Sequence, residues 1–288
     1  MIDPIIFSIN ILGITLTLRW YGVLAMVGLL VGATIADREI KRRGGDSEKL
    51  WDALVWLAVA GVVGARVWYV LNDILSGSTY FVDQPIKALY ITEGGMHIYG
   101  AVVAGLITAY FYCKRNGFDF RLLLDSAAPG MLVGQAIGRT ANFINQELYG
   151  PPTDLPWGVP ISADHRYQPW QDVAQFPEAT TRFHPTFFYE AIWNLVGAGL
   201  LLWLGRRYAK QLKPGVIFAL WLMWAGLGRC FLEVFGFRPD QRAIAGIGVS
   251  ISALAAGFMA LAGAVYLLAK YEVIKLPFVS PKPTTYKV

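Results

Sequence analysis

The sequence predicts an all-α membrane protein of seven transmembrane helices, with the N-terminus outside and the C-terminus in the cytoplasm. Three observations predict it. Hydrophobic residues fill 55% of the 288 positions and charged residues only 16%, against about 25% charged in ordinary soluble domains. Apolar segments long enough to cross a bilayer core, about 20 residues, recur along the chain. Lysines and arginines then gather in alternate connections, the pattern of cytoplasmic loops.

Taken in order, the segments lie near residues 18–36, 51–72, 95–113, 122–146, 185–204, 215–235 and 243–269. Met1 to Leu18 has neither a basic n-region nor a small-residue cleavage site, so the first segment is expected to stay in the mature protein. Arg38, Lys41, Arg42, Arg43 and Lys49 follow the first segment, and Lys114, Arg115 and Arg121 follow the third. Arg206, Arg207, Lys210 and Lys213 follow the fifth, and Lys270, Lys275, Lys282 and Lys287 follow the seventh. The other connections carry Arg19, Lys87, Arg166, Arg182, Arg238 and Arg242, six basic residues against sixteen. With the N-terminus outside and the C-terminus inside, the number of spans must be odd. Seven satisfies it.

Two outward connections are long. Residues 73–93 read as a loop or short interfacial helix, whereas 147–184 are rich in Pro, Trp and Asp. A connection of that length is functional or disordered. Its Trp157 and Trp170 favour an ordered segment lying on the membrane surface. The organisation expected is one membrane domain, residues 1–276, and a flexible cytoplasmic tail, 277–288, marked by Pro277, Pro281 and Pro283. The net charge of +5 resides in short clusters that suit anionic lipid rather than nucleic acid. Cys113 and Cys230 form neither a disulfide framework nor a metal signature. There is no half-to-half repeat of the transporter kind.

Polar residues inside the apolar segments need a reason. Arg66, Arg139 and Arg229 fall there, and a mid-bilayer arginine costs about 2.5–3.5 kcal/mol on insertion scales. Arg139 opens the densest polar run, Gly138 to Gly150. On a helix, Arg139, Asn142 and Gln146 share one face and Asn145 lies near it. That strip suits a phosphate, or it is an interhelical hydrogen-bond seam. Arg229 and Glu233, at i and i+4, can form an ion pair that neutralises both or clamps a second phosphate oxygen. Arg66 either snorkels or functions. His184 and Pro185 precede the fifth helix, where Thr186 and Glu190 face the same way. His97 and Tyr99, in the glycine-rich start of the third segment, are candidates for proton handling. A phosphate-handling enzyme, an anion transporter or channel and a structural scaffold all remain open on these residues alone.

The motifs carry the reading further. The run Gly138-Arg139-Thr140-Ala141-Asn142-Phe143-Ile144-Asn145-Gln146-Glu147-Leu148-Tyr149-Gly150 closely resembles the signature of the bacterial prolipoprotein diacylglyceryl transferases. Arg19-Trp20-Tyr21-Gly22 resembles that family's first-span motif, and Glu93-Gly94-Gly95-Met96 the start of its third span. His184-Pro185-Thr186 with Tyr189-Glu190 resembles the fifth, and Gly228-Arg229 with Phe231, Glu233 and Arg238-Pro239-Asp240 the sixth. Three features depart from the pattern. Some members carry a histidine at the position of Tyr99, Thr140-Ala141 replaces a frequent glycine, and Gly236-Phe237 are extra. His97 is two residues from Tyr99, a rotation of about 200° on a helix, so it is not expected to stand in for that histidine.

The resemblance implies transfer of a diacylglyceryl group from phosphatidylglycerol to the lipobox cysteine of preprolipoproteins, forming a thioether and releasing glycerol 1-phosphate. It implies catalytic roles for Arg139, Arg229, Tyr99, Glu147 and Glu233. Phosphatidylglycerol binding would fall to Arg139, Asn142, Asn145, Gly150, Tyr21, Arg229, His184 and Glu190. Neither metal nor cofactor is expected. The implied setting is the bacterial plasma (inner) membrane, with the protein a multi-pass monomer whose partners are the lipid bilayer, phosphatidylglycerol and the preprolipoprotein, and no nucleic acid.

Overall fold

The computed structural model describes residues 2–11, 14–90, 94–237, 249–277 and 286. A β-hairpin, β1 (Ile5–Ile11) and β2 (Ile14–Arg19), leads into α1 (Trp20–Arg42) and α2 (Glu48–Leu75). A short α3 (Tyr80–Asp83) and a 3-10 turn (Pro85–Leu89) follow, then α4 (Ile98–Arg115) and α5 (Phe120–Ile144). After the long connection come α6 (Thr186–Arg207), α7 (Val216–Val234) and α8 (Ile251–Lys270). One long helix thus covers each apolar segment, although the start of the last segment, 243–248, lies outside the described residues. Five of them, α1, α2, α6, α7 and α8, are long and apolar enough to cross a membrane. α4 closes on Lys114 and Arg115, and α5 carries Arg121, Asp125 and Arg139 within it. These charges lower their mean hydropathy.

Basic residues stand in the last turns of α1, α4, α6 and α8, and none in those of α2, α5 and α7. The first group complements the negative helix C-terminus, and it comprises alternate long helices. Many large apolar side chains point outward, among them Trp56, Leu106, Ile192 and Phe258. Such exposure is costly in water and favourable against lipid tails.

The chain forms two compact units, Met1–Ala36 with Leu124–Val288, and Asp37–Leu123. In the first, β1 and β2 pair antiparallel with Ser8 opposite Thr17 and Ile9 opposite Leu16. The hydropathy reading did not foresee this hairpin. Its junction with α1 is fixed by Trp20 N–H donating to Pro4 C=O at 3.1 Å. α1 and α5 meet through two small-residue steps, Gly28/Gly32 and Gly130/Gly134. A Cβ on Gly32 would sit 2.8 Å from Gly130 O, and one on Gly130 2.3 Å from Gly32 O. Backbone contact of this kind is how helices associate where water supplies no driving force. It places the polar end of α5 one turn beyond Gly134.

α5, α6 and α7 share a core of Ala128, Leu132, Ala198, Leu201, Ile217 and Trp221. Trp193 of α6 and Trp224 of α7 stack at 4.3 Å between ring centroids. Each indole N–H donates to the other's backbone carbonyl, at 3.1 and 3.0 Å. Buried Asp125 holds the start of α7, accepting from Gly215 N–H at 2.7 Å and Phe218 N–H at 2.8 Å. A carboxylate there satisfies helix donors that lack intrahelical partners. Beyond residue 277 only Tyr286 is described, and its hydroxyl donates to Asp125 Oδ2 at 2.8 Å.

The long connection is ordered around Tyr149, Ile161, Trp170, Phe183 and Phe187. Trp170 is buried in that cluster while Trp157 stays exposed. Arg166 is buried too, donating from Nε to Ile161 O at 2.9 Å and from Nη1 to Phe176 O at 2.6 Å, with its guanidinium over the Phe183 ring. Burial pushes the Tyr149 phenol up to about 12, so it remains a neutral donor and acceptor. It accepts from Tyr167 N–H at 2.6 Å and donates to His165 O at 3.3 Å.

In the second unit, α2 and α4 touch where Gly64 meets Gly100. Arg66 neither snorkels nor faces open space. It is buried and donates to the carbonyls of Lys87, Ala88, Gly94 and Gly95 at 2.6 to 3.0 Å. Where a loop or a short interfacial helix is expected, the described residues form α3 and a 3-10 turn, the latter tied by its carbonyls to the Arg66 guanidinium. His97 is the N-cap of α4 in extended conformation. The 200° helical rotation therefore does not apply to it, and its ring lies beside that of Tyr99, with centroids 5.1 Å apart.

Candidate active site

α5 ends at Ile144, so the helical face expected to unite Arg139, Asn142 and Gln146 stops short of Gln146. Gln146 and Leu148 adopt left-handed backbone angles, φ 53° and 58°, a region costing non-glycine residues roughly 1–2 kcal/mol. The long connection supplies the compensation. Gln146 Oε1 accepts from Ser162 N–H at 2.8 Å and Ser162 Oγ at 2.9 Å. Leu148 N–H donates to Tyr167 Oη at 2.6 Å.

This reversal folds Glu147 back onto the helix end. Its N–H donates to Asn142 O at 2.9 Å, and its Oε1 accepts from Asn142 Nδ2 at 2.8 Å and Asn145 Nδ2 at 3.3 Å. Asn142, held by its amide nitrogen, offers Oδ1 to Arg139 Nη1 at 3.2 Å. The Arg139 Nη2 then meets Glu190 Oε2 of α6 at 2.5 Å. Arg139 Nε is buried without a hydrogen-bond partner among the described residues.

A second arginine is held from α7 and α8. Arg229 Nη2 lies 2.8 Å from Glu233 Oε1, the i, i+4 pair expected, and donates to Ser252 Oγ at 2.8 Å. Ser250, the N-cap of α8, reaches both Glu233 oxygens at 2.8 and 2.7 Å and accepts from Ala253 N–H. Ser250 and Ser252 were not singled out from sequence. Trp193 packs over Gly228, where a Cβ would come within 2.3 Å of its indole nitrogen, and so fixes the turn that carries Arg229.

Arg139, Glu190 and Arg229 line one cavity of about 130 Å³, together with Gln135, Tyr189 and Asn194. Two guanidinium groups facing a partly enclosed, low-dielectric space suit an anion with several oxygens. Among the described residues, no group of three or more His, Cys, Asp or Glu side chains could hold a metal ion.

The remaining expected residues occupy other places. His184 stands just before α6, as the sequence suggests, with its Nδ1 3.0 Å from Tyr189 Oη. Burial pulls its imidazole below the ordinary histidine range. Gly150 N–H donates to His184 O at 2.8 Å, and a Cβ on Gly150 would lie 2.9 Å from His184 Cβ and 2.7 Å from Thr186 Oγ1. Its lack of a side chain lets the backbone pack there. Tyr21 is exposed in the first turn of α1. Tyr99 belongs to the other unit, exposed beside His97. Glu93 and Arg238-Pro239-Asp240 lie outside the described residues.

The helices and the site define a multi-pass membrane protein that presents two carboxylate-held arginines to one cavity. Residues 4–269 match the family model described as prolipoprotein diacylglyceryl transferase, and the chain belongs to that family. It is 38% identical over 255 residues to the phosphatidylglycerol–prolipoprotein diacylglyceryl transferase of Chloroflexus aggregans, covering 86% of this chain and 81% of that one. The proteins of the same name from Bifidobacterium longum, 39% identical (75% and 70% covered), and Gloeobacter violaceus, 38% identical (77% and 78%), are similar along most of their length.

Proposed function

We propose that the protein transfers the diacylglyceryl group of phosphatidylglycerol to the lipobox cysteine of preprolipoproteins, forming a thioether and releasing glycerol 1-phosphate. The convergence of Arg139 and Arg229 on one cavity carries this reading. Cleaving the bond between the glyceryl carbon and the phosphate oxygen turns a singly charged diester into a doubly charged monoester. Preorganised cations in a low-dielectric site stabilise that developing charge more than they stabilise the bound lipid. Arg139 and Arg229 hold the phosphate, and Asn142 and Asn145 place the headgroup. Glu147, Glu190 and Glu233 orient the two guanidinium groups. Tyr21 is assigned to lipid placement, and Gly150 and His184 to the wall of the same site. Tyr99 is assigned to catalysis by the family resemblance.

The setting follows from the same reading. All seven long helices span the bacterial plasma (inner) membrane, with the N-terminus outside. The basic last turns of α1, α4, α6 and α8 support this orientation, since those ends would all be cytoplasmic. Residues 1–276 form one membrane domain, working as a monomer, and 277–288 a cytoplasmic tail. Purified protein in phosphatidylglycerol nanodiscs, given a lipobox peptide, should add one diacylglyceryl mass to the cysteine. An unmodified peptide, or modification of a Cys→Ser peptide, would overturn the proposal.

A further inference from the structure

We propose that Tyr189 is a catalytic residue that takes the thiol proton and passes its own to His184. This rests on the transfer reaction proposed above. The reaction consumes a thiol, and free cysteine has a pKa of about 8.5, so a proton must be removed before or during attack. The arginines of the cavity cannot accept it. Tyr189 lines that cavity with Arg139, Glu190 and Arg229.

The hydrogen bonds around Tyr189 give it direction. The exposed Trp157 indole lies 2.8 Å from Tyr189 Oη, and an indole N–H can only donate. One lone pair of Oη is therefore occupied, and the hydroxyl proton is left to point at His184 Nδ1, 3.0 Å away. In that arrangement Nδ1 accepts and the imidazole carries its proton on Nε2. The backbone of His184 is fixed on both sides, by Gly150 N–H donating to its carbonyl at 2.8 Å and its own N–H donating to Pro151 O at 3.0 Å.

The step balances. The thiol proton moves to Oη as the Tyr189 proton moves to His184 Nδ1, giving imidazolium. The sulfur electron pair forms the C–S bond, and the C–O bond breaks with its electrons remaining on the phosphate oxygen. Glycerol 1-phosphate leaves with two negative charges, and the imidazolium returns its proton to solvent.

The test compares two peptides, one with the lipobox cysteine and one with selenocysteine, whose selenol is already ionised at neutral pH. Tyr189→Phe and His184→Gln in phosphatidylglycerol nanodiscs should each lower kcat on the thiol peptide by about 100-fold or more, with little change in KM. On the selenol peptide both variants should lose at least about 10-fold less than they lose on the thiol peptide. Equal losses on the two peptides would show a merely structural role and overturn the proposal. So would a near-normal Tyr189→Phe rate on thiol, or a thiol-specific loss in Tyr99→Phe alone. If the wild-type protein modifies neither peptide, the reaction itself is wrong, a result distinct from these.

Discussion

Replacing Glu190 by Gln removes one charge from the site while keeping its shape. Glu190 Oε2 meets Arg139 Nη2 at 2.5 Å, with the carboxylate side chain 10% exposed and the arginine 29%. A glutamine oxygen can still accept from that guanidinium, so what is lost is the carboxylate's own share of the charge assistance. Hydrogen bonds to charged groups contribute roughly 1.5–3 kcal/mol and neutral ones about 1. Because the guanidinium stays charged, the loss is at most the difference, about 0.5–2 kcal/mol, or roughly 2- to 30-fold in rate if it goes into orienting Arg139. Direction matters as much as size. Without the competing carboxylate, Arg139 binds a phosphate ester at least as well, so KM for phosphatidylglycerol should hold or fall while kcat drops. Initial rates at varied lipid mole fraction, with peptide mass as the readout and thermal melting as a control for folding, separate the two. An unchanged kcat, or a rise in KM alone, would refute the view that Glu190 orients Arg139.

Further outcomes follow from the same contacts. Ser252→Ala takes away one partner of Arg229 and should cost about 1 kcal/mol of positioning, read as roughly a 5-fold loss of turnover with the melting temperature little changed. Gly150→Ala forces a methyl against His184 and Thr186, so overpacking of about 1–3 kcal/mol should lower both the melting temperature and activity. Gly130→Leu separates α5 from α1 and should destabilise the protein in detergent more than Gly138→Ala, where no atom lies within 4 Å of the new Cβ. His184 is held below its ordinary pKa of about 6.5 by burial. Its contribution to stability is present above that value and lost as pH falls through the folded one. On going from about pH 7.5 to about pH 5.5, wild-type protein should therefore lose more melting temperature than His184→Gln.

The long helices are legible because sustained apolar segments of this length have few other uses, and their ends fall within a few residues of those expected, except that α1 runs on to Arg42 and α8 starts at Ile251, the expected stretch 243–248 lying outside the described residues. The hairpin leaves only a short signal, Ile14-Thr15-Leu16-Thr17-Leu18, which alternates with the period of a strand and adjoins the apolar segment of the first helix. Gly28/Gly32 and Gly130/Gly134 were likewise readable as small-residue steps. The polarity of the Gly138–Gly150 run is plain in the sequence, but helical periodicity does not hold past Ile144. Gln146 and Leu148 turn left-handed because Ser162 and Tyr167, far along the chain, receive them. No local pattern carries that information. The Arg229–Glu233 pair was legible at i, i+4, whereas Ser250 and Ser252 come from the next helix and could be found only through packing. The helical rotation that separates His97 from Tyr99 in the sequence does not apply, because His97 is an extended N-cap outside the helix.

Arg139 and Arg229 are proposed to bind together the phosphate that leaves. The most direct measurement is turnover of a lipobox peptide by Arg139→Gln and Arg229→Gln in phosphatidylglycerol nanodiscs, with each variant first shown to melt cooperatively. Each replacement should lower kcat/KM by at least about 100-fold, the scale of losing one preorganised charge stabiliser. Near-normal turnover in both folded variants would contradict the account.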